Sequence, residues 1–441
     1  MSNQYPTWIN QKRQTHSTLS PSKRERWSLC PASVKEEAKH KETKSGEAAV
    51  DGTHTHTLVD YCITNSMQDP LELVGLEMQD NEGSFVIQKD RAERAKVAVD
   101  YVLERHRELF YPSIYTEKLV DPLWLTQRGS MFGTCDCIIK TGQYVEIIDY
   151  KDGRIPVTAQ GNKQLEQYAI GFIAEEARSL GIVRRWEGED KNNLVTTDLL
   201  SSNKFPYKDI QLTIIQPRNE LAQISTLKLT LEELLKKVPR ITEEALATEE
   251  VHPKYNPGAE QCRWCKARGS CLALADNVVT KLFQHQLVPT EKLGVPNNPA
   301  TLSNTDIADI ISALPLIRIF LDGVETEALT RINKGQSIQG VKVGKARTYR
   351  EWSIESDEVK KKLVAMGVPV FHAIEAISPA KAEKLSWKGL DGEEHKLSPA
   401  QKQTLSTFMM QREGSPKVVI DKSAIDKSDV SGLFNQQTVT Q

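Results

Sequence analysis

Three charged residues on two neighbouring predicted strands are the combination in this sequence best suited to chemistry. Asp136 lies in the segment Phe132–Ile139, and Asp149 and Lys151 end the segment Val145–Lys151. Side chains alternate between the two faces of a strand, so Asp149 and Lys151 point the same way. An apolar strand that ends on an aspartate and a lysine of one face is an unusual core strand, because unpaired charges avoid burial.

The two aspartates predict a site for a hard divalent cation. If Asp136 lies beside Asp149 across the hairpin, their oxygens can bind Mg²⁺ or Mn²⁺. Such a cation polarises a scissile phosphate and lowers the pKa of an attacking water. Lys151 would orient that water or neutralise charge on the phosphate. The D-x-K motif alone is short and common, and it more often marks an exposed hairpin with a weak salt bridge, so the prediction depends on further residues.

Two other positions could complete the site. His56 lies at the start of a predicted helix, after Asp51-Gly52-Thr53, where a neutral imidazole could add a nitrogen ligand. A single histidine is more often a surface or core residue, and His54 is a rival two residues earlier. Glu117, on the first predicted strand, could add an oxygen or hold a metal-bound water, but it could equally be an exposed strand residue.

Four cysteines form a second candidate site. Cys262, Cys265 and Cys271 are clustered in the sequence, and Cys30 is the candidate for a fourth ligand because it too lies next to a proline or loop at the end of an element. A C-x-x-C brings two thiolates to one metal at little cost in chain entropy. Such tetrads hold zinc or an iron–sulfur cluster, and the spacing does not separate the two. The other cysteines are predicted to be small core residues: Cys62, Cys135 and Cys137.

The elements that would position these residues form an α/β (α+β mixed) fold. The order β-β-β-α-β predicts a mixed sheet flanked by helices, beginning with an antiparallel meander. The predicted elements are strands Ser113–Val120, Phe132–Ile139, Tyr144–Lys151 and Ile210–Gln216, and helices Ala159–Leu180 and Leu231–Glu249. Upstream, the pattern predicts a helix begun by Ser20 and Pro21 and ended by Cys30-Pro31, a charged helix at Lys35–Ala49, helices His54–Asn65 and Phe85–Phe110, and a loop at 66–84.

The predicted domain organisation places both candidate sites in residues 18–288. Residues 1–17 are predicted to be flexible, Pro289–Asn297 to be a linker and 421–441 to be a disordered tail. Residues 300–420 form a mainly helical C-terminal region, with helices near 304–333, 355–366, 379–386 and 398–412 and a strand or hairpin at Gln339–Trp352. The basic stretch 342–350, followed by Trp352, suits DNA or partner contact, or is a solvated hairpin with one core tryptophan.

Composition predicts a soluble globular protein of the cytoplasm. The chain of 441 residues has 39% hydrophobic and 26% charged residues, and neither an apolar run of membrane-spanning length nor a secretory signal is found. Its cysteines are therefore expected to be reduced. With 57 Lys+Arg against 59 Asp+Glu, the net charge of −2 argues against a DNA-coating role but permits a local basic groove.

Taken together, these segments resemble the PD-(D/E)XK nuclease superfamily, in particular its RecB/AddB-like exonuclease branch with an iron–sulfur staple. The resemblance covers most of residues 18–275, and the whole chain resembles an uncharacterised phage and prophage family. The motifs that carry it are Leu19-Ser20-Pro21-Ser22 with Trp27 and Cys30-Pro31, Gly52-x-x-x-His56, Gly133-x-x-Asp136, Asp149-Tyr150-Lys151, Gln164-x-x-x-Tyr168, and Cys262, Cys265 and Cys271.

The resemblance implies a role for each of these positions. His56, Asp136 and Asp149 would be metal ligands together with the backbone carbonyl of Tyr150, and Lys151 would be the catalytic lysine. Gln164 and Tyr168 would lie on the helix behind the site and position DNA and the ligand loop. The cysteines would hold a 4Fe–4S cluster, with Zn²⁺ as the alternative: Cys30, Cys262, Cys265 and Cys271.

The resemblance also implies an activity and partners. It implies a Mg²⁺- or Mn²⁺-dependent DNA exonuclease of phage-type recombination or replication, acting in the bacterial host cytoplasm and accompanied by a single-strand annealing protein. The absence of a G-x-x-x-x-G-K-[ST] loop implies that no nucleoside triphosphate is bound. Two alternatives remain open at this point: a catalytically inert nuclease fold that binds DNA or a partner, and a structure-specific endonuclease.

Overall fold

The computed structural model describes residues 17–40, 46–66, 68–183, 199–219, 221–284, 303–344, 348–354, 356–368, 378–388, 393–413 and 417–420. Several predicted segments lie outside these residues: the flexible N-terminus except Ser17, the linker 289–297, the tail 421–441, and residues 345–347 of the basic stretch. The chain divides into two compact units, one made of residues 1–290 and 297–320 and the other of 291–296 and 321–441.

The first unit contains helices and strands in alternation, after a short 3-10 turn at Pro21–Lys23. In chain order they are α1 (Arg24–Leu29), α2 (Ala32–Ala38), α3 (Glu47–Thr64), β1 (Glu77–Asp80), β2 (Gly83–Val86), α4 (Lys89–Glu108), β3 (Ser113–Val120), α5 (Leu123–Thr126), β4 (Gly133–Thr141), β5 (Tyr144–Tyr150), α6 (Lys163–Ser179), β6 (Asp209–Ile215), β7 (Ile224–Thr230), α7 (Leu231–Leu235), α8 (Val238–Glu249), α9 (Ala259–Arg263) and α10 (Leu272–Gln284).

A five-stranded sheet in the order β3-β4-β5-β6-β7 forms the centre of this unit. All neighbouring strands are antiparallel except β5 and β6, which are parallel and are connected through α6. The predicted meander and the mixed sheet flanked by helices are therefore confirmed. Strand β7 was missed, although Leu227 and Leu229 alternate with polar residues there and are more buried than them.

The sheet has an apolar core on each face because its central strands are apolar on both sides. From β5, Val145 and Ile147 join the core that contains α6, while Ile148 and Tyr150 join the core that contains α3 and α4. The end of β5 thus lies between a helix on each face. This arrangement brings side chains of α3 and α6 to the same end of the sheet.

Upstream of the sheet, three predicted boundaries were wrong. Helix α3 begins at Glu47 rather than at Asp51-Gly52-Thr53, because the helix formers that follow the N-cap Gly46 start it one turn earlier. The predicted loop 66–84 contains a 3-10 turn, Pro70–Leu73, and the strands of the β1–β2 hairpin. Phe85 pairs with Met78 in that hairpin, so α4 begins only at Lys89.

The N-terminal segment is held against distant parts of the unit. Helix α1 ends at Cys30, as predicted, and the side chain of Arg24 is almost fully buried. Its guanidinium pairs with Glu166 of α6 at 3.4 Å and with Glu244 of α8 at 3.0 Å. The Gln167 amide donates to the carbonyl oxygens of Leu19 and Met131, both at 2.8 Å. These contacts fix the N-terminal segment to the helix that lies behind the end of β5.

The remaining elements are α11 (Asn304–Asn333), β8 (Val341–Gly344), β9 (Thr348–Trp352), α12 (Ser356–Ala365), α13 (Pro379–Ala382), β10 (Ser386–Lys388), β11 (Glu394–Lys396), α14 (Pro399–Ser406), β12 (Met409–Glu413) and β13 (Lys417–Ile420). The second unit has its own small core, which includes Val359, Leu363 and Leu405.

Several details of the predicted C-terminal region were wrong. Helices contain more of its described residues than strands do, but the region also has three strand pairs: β10 with β11, β12 with β9, and β13 with β8. The predicted hairpin Gln339–Trp352 therefore does not pair with itself. The predicted helix 398–412 ends at Ser406, since the residues after it form β12. The helix predicted at 379–386 is only α13, and Ser386 already belongs to β10. Within the described residues, no helix is long and apolar enough to cross a membrane.

Candidate metal centre

Three potential metal ligands meet at one end of the sheet. His56, Glu117 and Asp136 each offer one ligand atom, and these atoms lie within 4.8 Å of one another. The imidazole Nδ1 of His56 is 3.6 Å from Oδ2 of Asp136, and all three side chains are partly exposed. A nitrogen and two carboxylate oxygens at such distances suit a divalent cation that solvent and substrate can reach.

Each of the three residues comes from a different element, and Glu117 has an unusual backbone. His56 lies on α3, Glu117 on β3 and Asp136 on β4. Glu117 has a φ of 46°, a left-handed conformation that costs a non-glycine residue about 1 kcal/mol or more. The β3–β4 ladder pairs Thr116 with Cys137 and Lys118 with Cys135, but it omits the intervening pair Glu117 and Asp136. The strain lies where both carboxylates leave the sheet, as is common at functional sites.

Asp136 is linked directly to the end of β5. The β4–β5 ladder stops at Cys137 and Ile148, and the backbone N–H of Tyr150 instead donates to Oδ2 of Asp136 at 2.7 Å. The ring of Tyr150 lies edge-on against His56, with centroids 5.0 Å apart. Tyr150 therefore contacts two of the three potential ligands, and the residues flanking it are Asp149 and Lys151.

Asp149 and Lys151 form a closed polar cluster with Gln164. The ammonium of Lys151 lies 2.8 Å from Oδ2 of Asp149 and donates to Oε1 of Gln164 at 2.8 Å. The amide of Gln164 donates to Oδ1 of Asp149 at 2.8 Å, and it lies 3.2 Å from the hydroxyl of Tyr168. As the alternation of β5 predicts, Asp149 and Lys151 share a face, and it is the face covered by α6.

Oδ2 of Asp149 is buried and accepts no well-directed hydrogen bond within the described residues. The ammonium of Lys151, 2.8 Å away, forms an ion pair with it. A carboxylate oxygen has two lone pairs, so Oδ2 can accept a second partner beside Lys151. The donor set at this end of the sheet therefore fits an additional positive charge.

Burial and charge also shift the pKa values of the site. Burial and the neighbouring Asp149 raise the pKa of Asp136 above its usual range, despite opposition from His56 and Lys151. Burial acts to lower the pKa of Lys151, but the charge of Asp149 and the contact with its carboxylate outweigh burial and raise it. Burial raises the pKa of Tyr168. Two carboxylates in mutual repulsion are an arrangement that a bound cation relieves.

A family model described as "Protein of unknown function (DUF2800)" matches residues 16–182 and 200–425. The chain belongs to the DUF2800 family. The matched segments include both compact units in large part, the three potential metal ligands, the Asp149–Lys151–Gln164 cluster and all four cysteines of the second candidate site.

His54, the predicted rival of His56, lies elsewhere in the DUF2800 chain. Its Nδ1 is 2.7 Å from Oδ2 of Asp80, and its ring stacks on Phe85 at 4.1 Å between centroids. His54 is buried in this contact with the β1–β2 hairpin. Among the predicted residues, the structure thus groups His56 with Glu117 and Asp136, and it groups Asp149 with Lys151, Gln164 and Tyr168.

Sequence reasoning missed an arginine–aspartate network beside the site, made of Asp51, Arg91, Arg94, Asp152 and Arg218. Asp51 pairs with Arg91, Arg94 and Arg218 at 2.8–3.0 Å, and Asp152 pairs with Arg94 at 2.9 Å. The hydroxyl of Tyr150 lies 3.1 Å from Oδ1 of Asp152. The network joins α3, α4 and the residue after Lys151. The position of Asp152 next to Lys151 was the available signal.

The four cysteines of the second candidate site line one cavity. Backbone N–H groups of Asn256 and Gly258 donate to the sulfurs of Cys30 and Cys262 at 3.4 and 3.5 Å. Burial raises the pKa of Cys30 and Cys262, and it raises that of Cys265 to about 12. In contrast to the first site, no three of these sulfurs lie within 4.8 Å of one another in the described part of the chain. The fully buried cysteines are those predicted for the core: Cys62, Cys135 and Cys137.

Proposed function

We propose that this protein is a divalent-metal-dependent deoxyribonuclease with a PD-(D/E)XK core, and that it acts as an exonuclease on linear DNA. One observation carries the proposal. The ligand atoms of His56, Glu117 and Asp136 lie within 4.8 Å, and Asp136 is hydrogen-bonded to the backbone of Tyr150, between Asp149 and Lys151. A metal-ligand group thus adjoins a cationic side chain, the pairing that phosphodiester hydrolysis requires.

His56, Glu117 and Asp136 would hold Mg²⁺ or Mn²⁺, with Asp149 and the Tyr150 carbonyl as further ligands in line with the resemblance. When bound, the cation supplies a Lewis acid for the scissile phosphate and an acidified water. Tyr150 positions the ligands, because its N–H orients Asp136 and its ring packs on His56. Oδ2 of Asp149 can bind the cation because, within the described residues, its partner is Lys151 alone.

Lys151 would bind the phosphate and stabilise charge that develops on it. Its ammonium is held by Asp149 and Gln164 at 2.8 Å each, yet 28% of the side chain remains exposed. A fixed cation that substrate can reach costs little reorganisation during the reaction. Gln164 and Tyr168 would act as positioning residues, since Gln164 contacts Asp149 and Tyr168 contacts Gln164.

The identification of DNA, of exonucleolytic attack and of a role in phage-type recombination beside a single-strand annealing protein rests on the sequence resemblance. The resemblance further supports a 4Fe–4S cluster bound by Cys30, Cys262, Cys265 and Cys271. Sulfurs around one zinc ion, each at 2.3 Å, stand about 3.8 Å apart in a tetrahedron. Because no three of the four sulfurs lie within 4.8 Å of one another in the described residues, the proposal of the cluster over zinc rests on the resemblance.

End-labelled linear DNA and circular DNA, incubated with the purified protein in Mg²⁺ or Mn²⁺, test the activity. We expect linear DNA to be degraded from its ends, and Asp149→Asn and Lys151→Ala to abolish this without loss of fold. Asp100→Asn, which removes a carboxylate from the exposed side of α4, is the matched control. Full activity of the two site variants would refute the proposal. Cleavage of circular DNA would show an endonuclease, and binding without cleavage would show an inert nuclease fold.

The cysteine site has a separate test. Anaerobically purified protein should be brown, absorb in the visible and contain iron, whereas a zinc protein would be colourless. Cys265→Ser should lose the colour and lower the melting temperature, because structural metal binding contributes folding free energy. A colourless, iron-free protein with bound zinc would contradict the cluster and leave the nuclease proposal intact.

A further inference from the structure

The loop that follows Lys151 is exposed and combines a cation with an apolar side chain. Four consecutive residues of the loop, Gly153, Arg154, Ile155 and Pro156, are exposed. Ile155 exposes 56% of its surface, although isoleucine is among the residues most often buried. A single exposed aliphatic residue needs no explanation, so the inference depends on how this loop is held and where it lies.

One buried side chain holds the loop in place. The amide nitrogen of Gln216 donates to the carbonyl oxygens of Gly153 at 2.8 Å and of Ile155 at 2.7 Å, and its amide oxygen accepts from the N–H of Val157 at 2.9 Å. Gln216 itself is 1% exposed. Three backbone groups of an irregular segment are thus satisfied by one fixed amide, which keeps the loop rigid although its side chains face solvent.

The local sequence stiffens the loop further. Ile155 is β-branched and therefore restricted at χ1. Pro156 fixes its own φ and confines the preceding residue to extended backbone. The aliphatic side chain is therefore presented in few conformations, so its ordering on binding costs little entropy.

Arg154 adds a positive charge to the loop. Asp152, two residues away in the sequence, pairs with Arg94, and Asp51 pairs with Arg94 and Arg218. Within the described residues, no carboxylate lies at salt-bridge distance from Arg154. An exposed arginine with no acidic partner is suited to a phosphate.

The loop also lies close to the proposed reaction centre. From Lys151 to Ile155 the chain can span at most about 14 Å. Successive phosphates of one DNA strand advance by about 3.4 Å along the helix axis. Ile155 is therefore within about four nucleotides of the phosphate that Lys151 would bind.

We propose that the 153–157 loop opens the end of a DNA duplex next to the reaction centre. Ile155 takes the place of a stacked base and Arg154 binds a phosphate of the strand being led to the metal. The inference rests on the proposed function and names its substrate as a duplex end. Apolar side chains inserted between base steps are a general means of unstacking DNA.

The Ile155→Ser variant tests the apolar contact. We expect hydrolysis of a blunt duplex to fall by about tenfold, while hydrolysis of the corresponding single strand stays within about twofold, because only the duplex requires unstacking. Val86→Ser is the matched control: Val86 is 46% exposed on the same unit and outside the site, and its variant should change neither rate. Equal rate changes on both substrates, or no change on either, would overturn the proposal.

A second readout does not depend on hydrolysis. With Ca²⁺ in place of Mg²⁺, binding of the protein should raise the fluorescence of a 2-aminopurine placed as the terminal base of the duplex, and Ile155→Ser should remove that rise. If the rise is present but no DNA is ever cleaved, the end-opening contact stands and the nuclease proposal fails. If cleavage occurs and the fluorescence does not change, the end-opening contact fails alone.

The Arg154→Gln variant tests the phosphate contact. Binding to duplex and single strand should weaken together, and the slope of log K against log salt should fall by about one. Arg107→Gln, which removes an exposed arginine near the end of α4, is the charge-matched control and should leave the slope unchanged. An unchanged slope in Arg154→Gln would exclude Arg154 from the DNA contact.

Discussion

Strand β5 carries a buried carboxylate near each end, and the two are satisfied in different ways. Glu146 is 0% exposed and accepts hydrogen bonds from five groups: Tyr101, Arg105, Tyr144, Gln211 and Thr213. Asp149 is 2% exposed, but within the described residues the partner of its Oδ2 is the ammonium of Lys151 alone. Both residues are acidic and buried on the same strand, yet only the second has an oxygen with capacity for another cation.

The difference indicates that burial alone does not make a carboxylate a candidate metal ligand, and that an oxygen with few protein partners is the better candidate. At the Glu146 end, the sheet and α4 supply every donor that the carboxylate can accept, so the cluster stabilises the fold. At the Asp149 end, the ladder opens at Cys137, the backbone at Glu117 is strained, and three ligand atoms lie within 4.8 Å. We therefore expect substitutions at the two ends to separate function from stability.

The largest effect is expected for Asp136→Asn. Loss of this charge should reduce DNA hydrolysis by about a thousandfold or more, since groups that act as one catalytic unit fail together. Thermal stability should stay close to that of the wild type, because the amide oxygen can still accept from the Tyr150 N–H. Hydrolysis rates and thermal melts measure the two properties. Hydrolysis within tenfold of the wild type would remove Asp136 from the site.

At the other end, Glu146→Leu should behave in the opposite way. The substitution leaves five donors without their acceptor, and the loss of one partner of a buried ion pair costs about 3 kcal/mol of unfolding free energy. Denaturant unfolding measures the loss, and Glu104→Gln on the exposed side of α4 is the control. Hydrolysis per folded molecule should remain within about twofold. A Glu146→Leu protein that is stable but inactive would contradict the assignment of Glu146 to stability rather than to function.

A smaller effect is expected at Glu117, where a substitution should weaken metal binding without lowering the stability of the fold. Glu117→Gly relieves the left-handed φ, so it should lack the cost of about 0.5–1 kcal/mol that glycine normally brings to a strand. Lys118→Gly, at the next position of the same strand, should show that cost. Metal affinity should fall in Glu117→Gly by about tenfold and remain unchanged in Lys118→Gly. Equal destabilisation by both glycines would show that the left-handed φ of Glu117 costs the wild-type protein no free energy.

The smallest effect is expected for Tyr101→Phe, which removes one of the donors to Glu146. One hydrogen bond to a charged group contributes about 1.5–3 kcal/mol at most, and the remaining donors limit the loss to about 1 kcal/mol. Denaturant unfolding should detect this loss, and DNA hydrolysis should be unaffected. A loss as large as that of Glu146→Leu would mean that the network depends on Tyr101 alone.

Strand periodicity was enough to predict four of the five strands of the central sheet and half of the site. Because β5 is regular, alternation correctly placed Asp149 and Lys151 on one face. The resemblance placed Gln164 and Tyr168 on the helix behind them, and Gln164 contacts both Asp149 and Lys151. Composition and turn signals gave the meander and the mixed sheet. Patterns with a fixed period are predictable because they follow from local backbone geometry.

The irregular half of the site could not be predicted in the same way. Nothing in the residues around Glu117 indicates a left-handed φ, and the opening of the β4–β5 ladder at Cys137 depends on contacts with other elements. The network around Arg94 joins residues that are far apart in the sequence, and its partners are specified only by tertiary packing. Strand β7, in contrast, follows the same alternation as the predicted strands, with Leu227 and Leu229 more buried than their polar neighbours Thr226, Lys228 and Thr230.

The burial of Arg24 between Glu166 and Glu244 has a consequence for synthesis of the chain on the ribosome. The segment around Arg24 needs partners that are translated much later, and the cysteine cavity that includes Cys30 is complete only after Cys271. During translation, the side chains of Arg24 and Trp27 therefore remain unburied until those partners are synthesised, and the segment is accessible to chaperones and proteases. Slowing translation before codon 271 should lower the yield of folded protein more than slowing it afterwards.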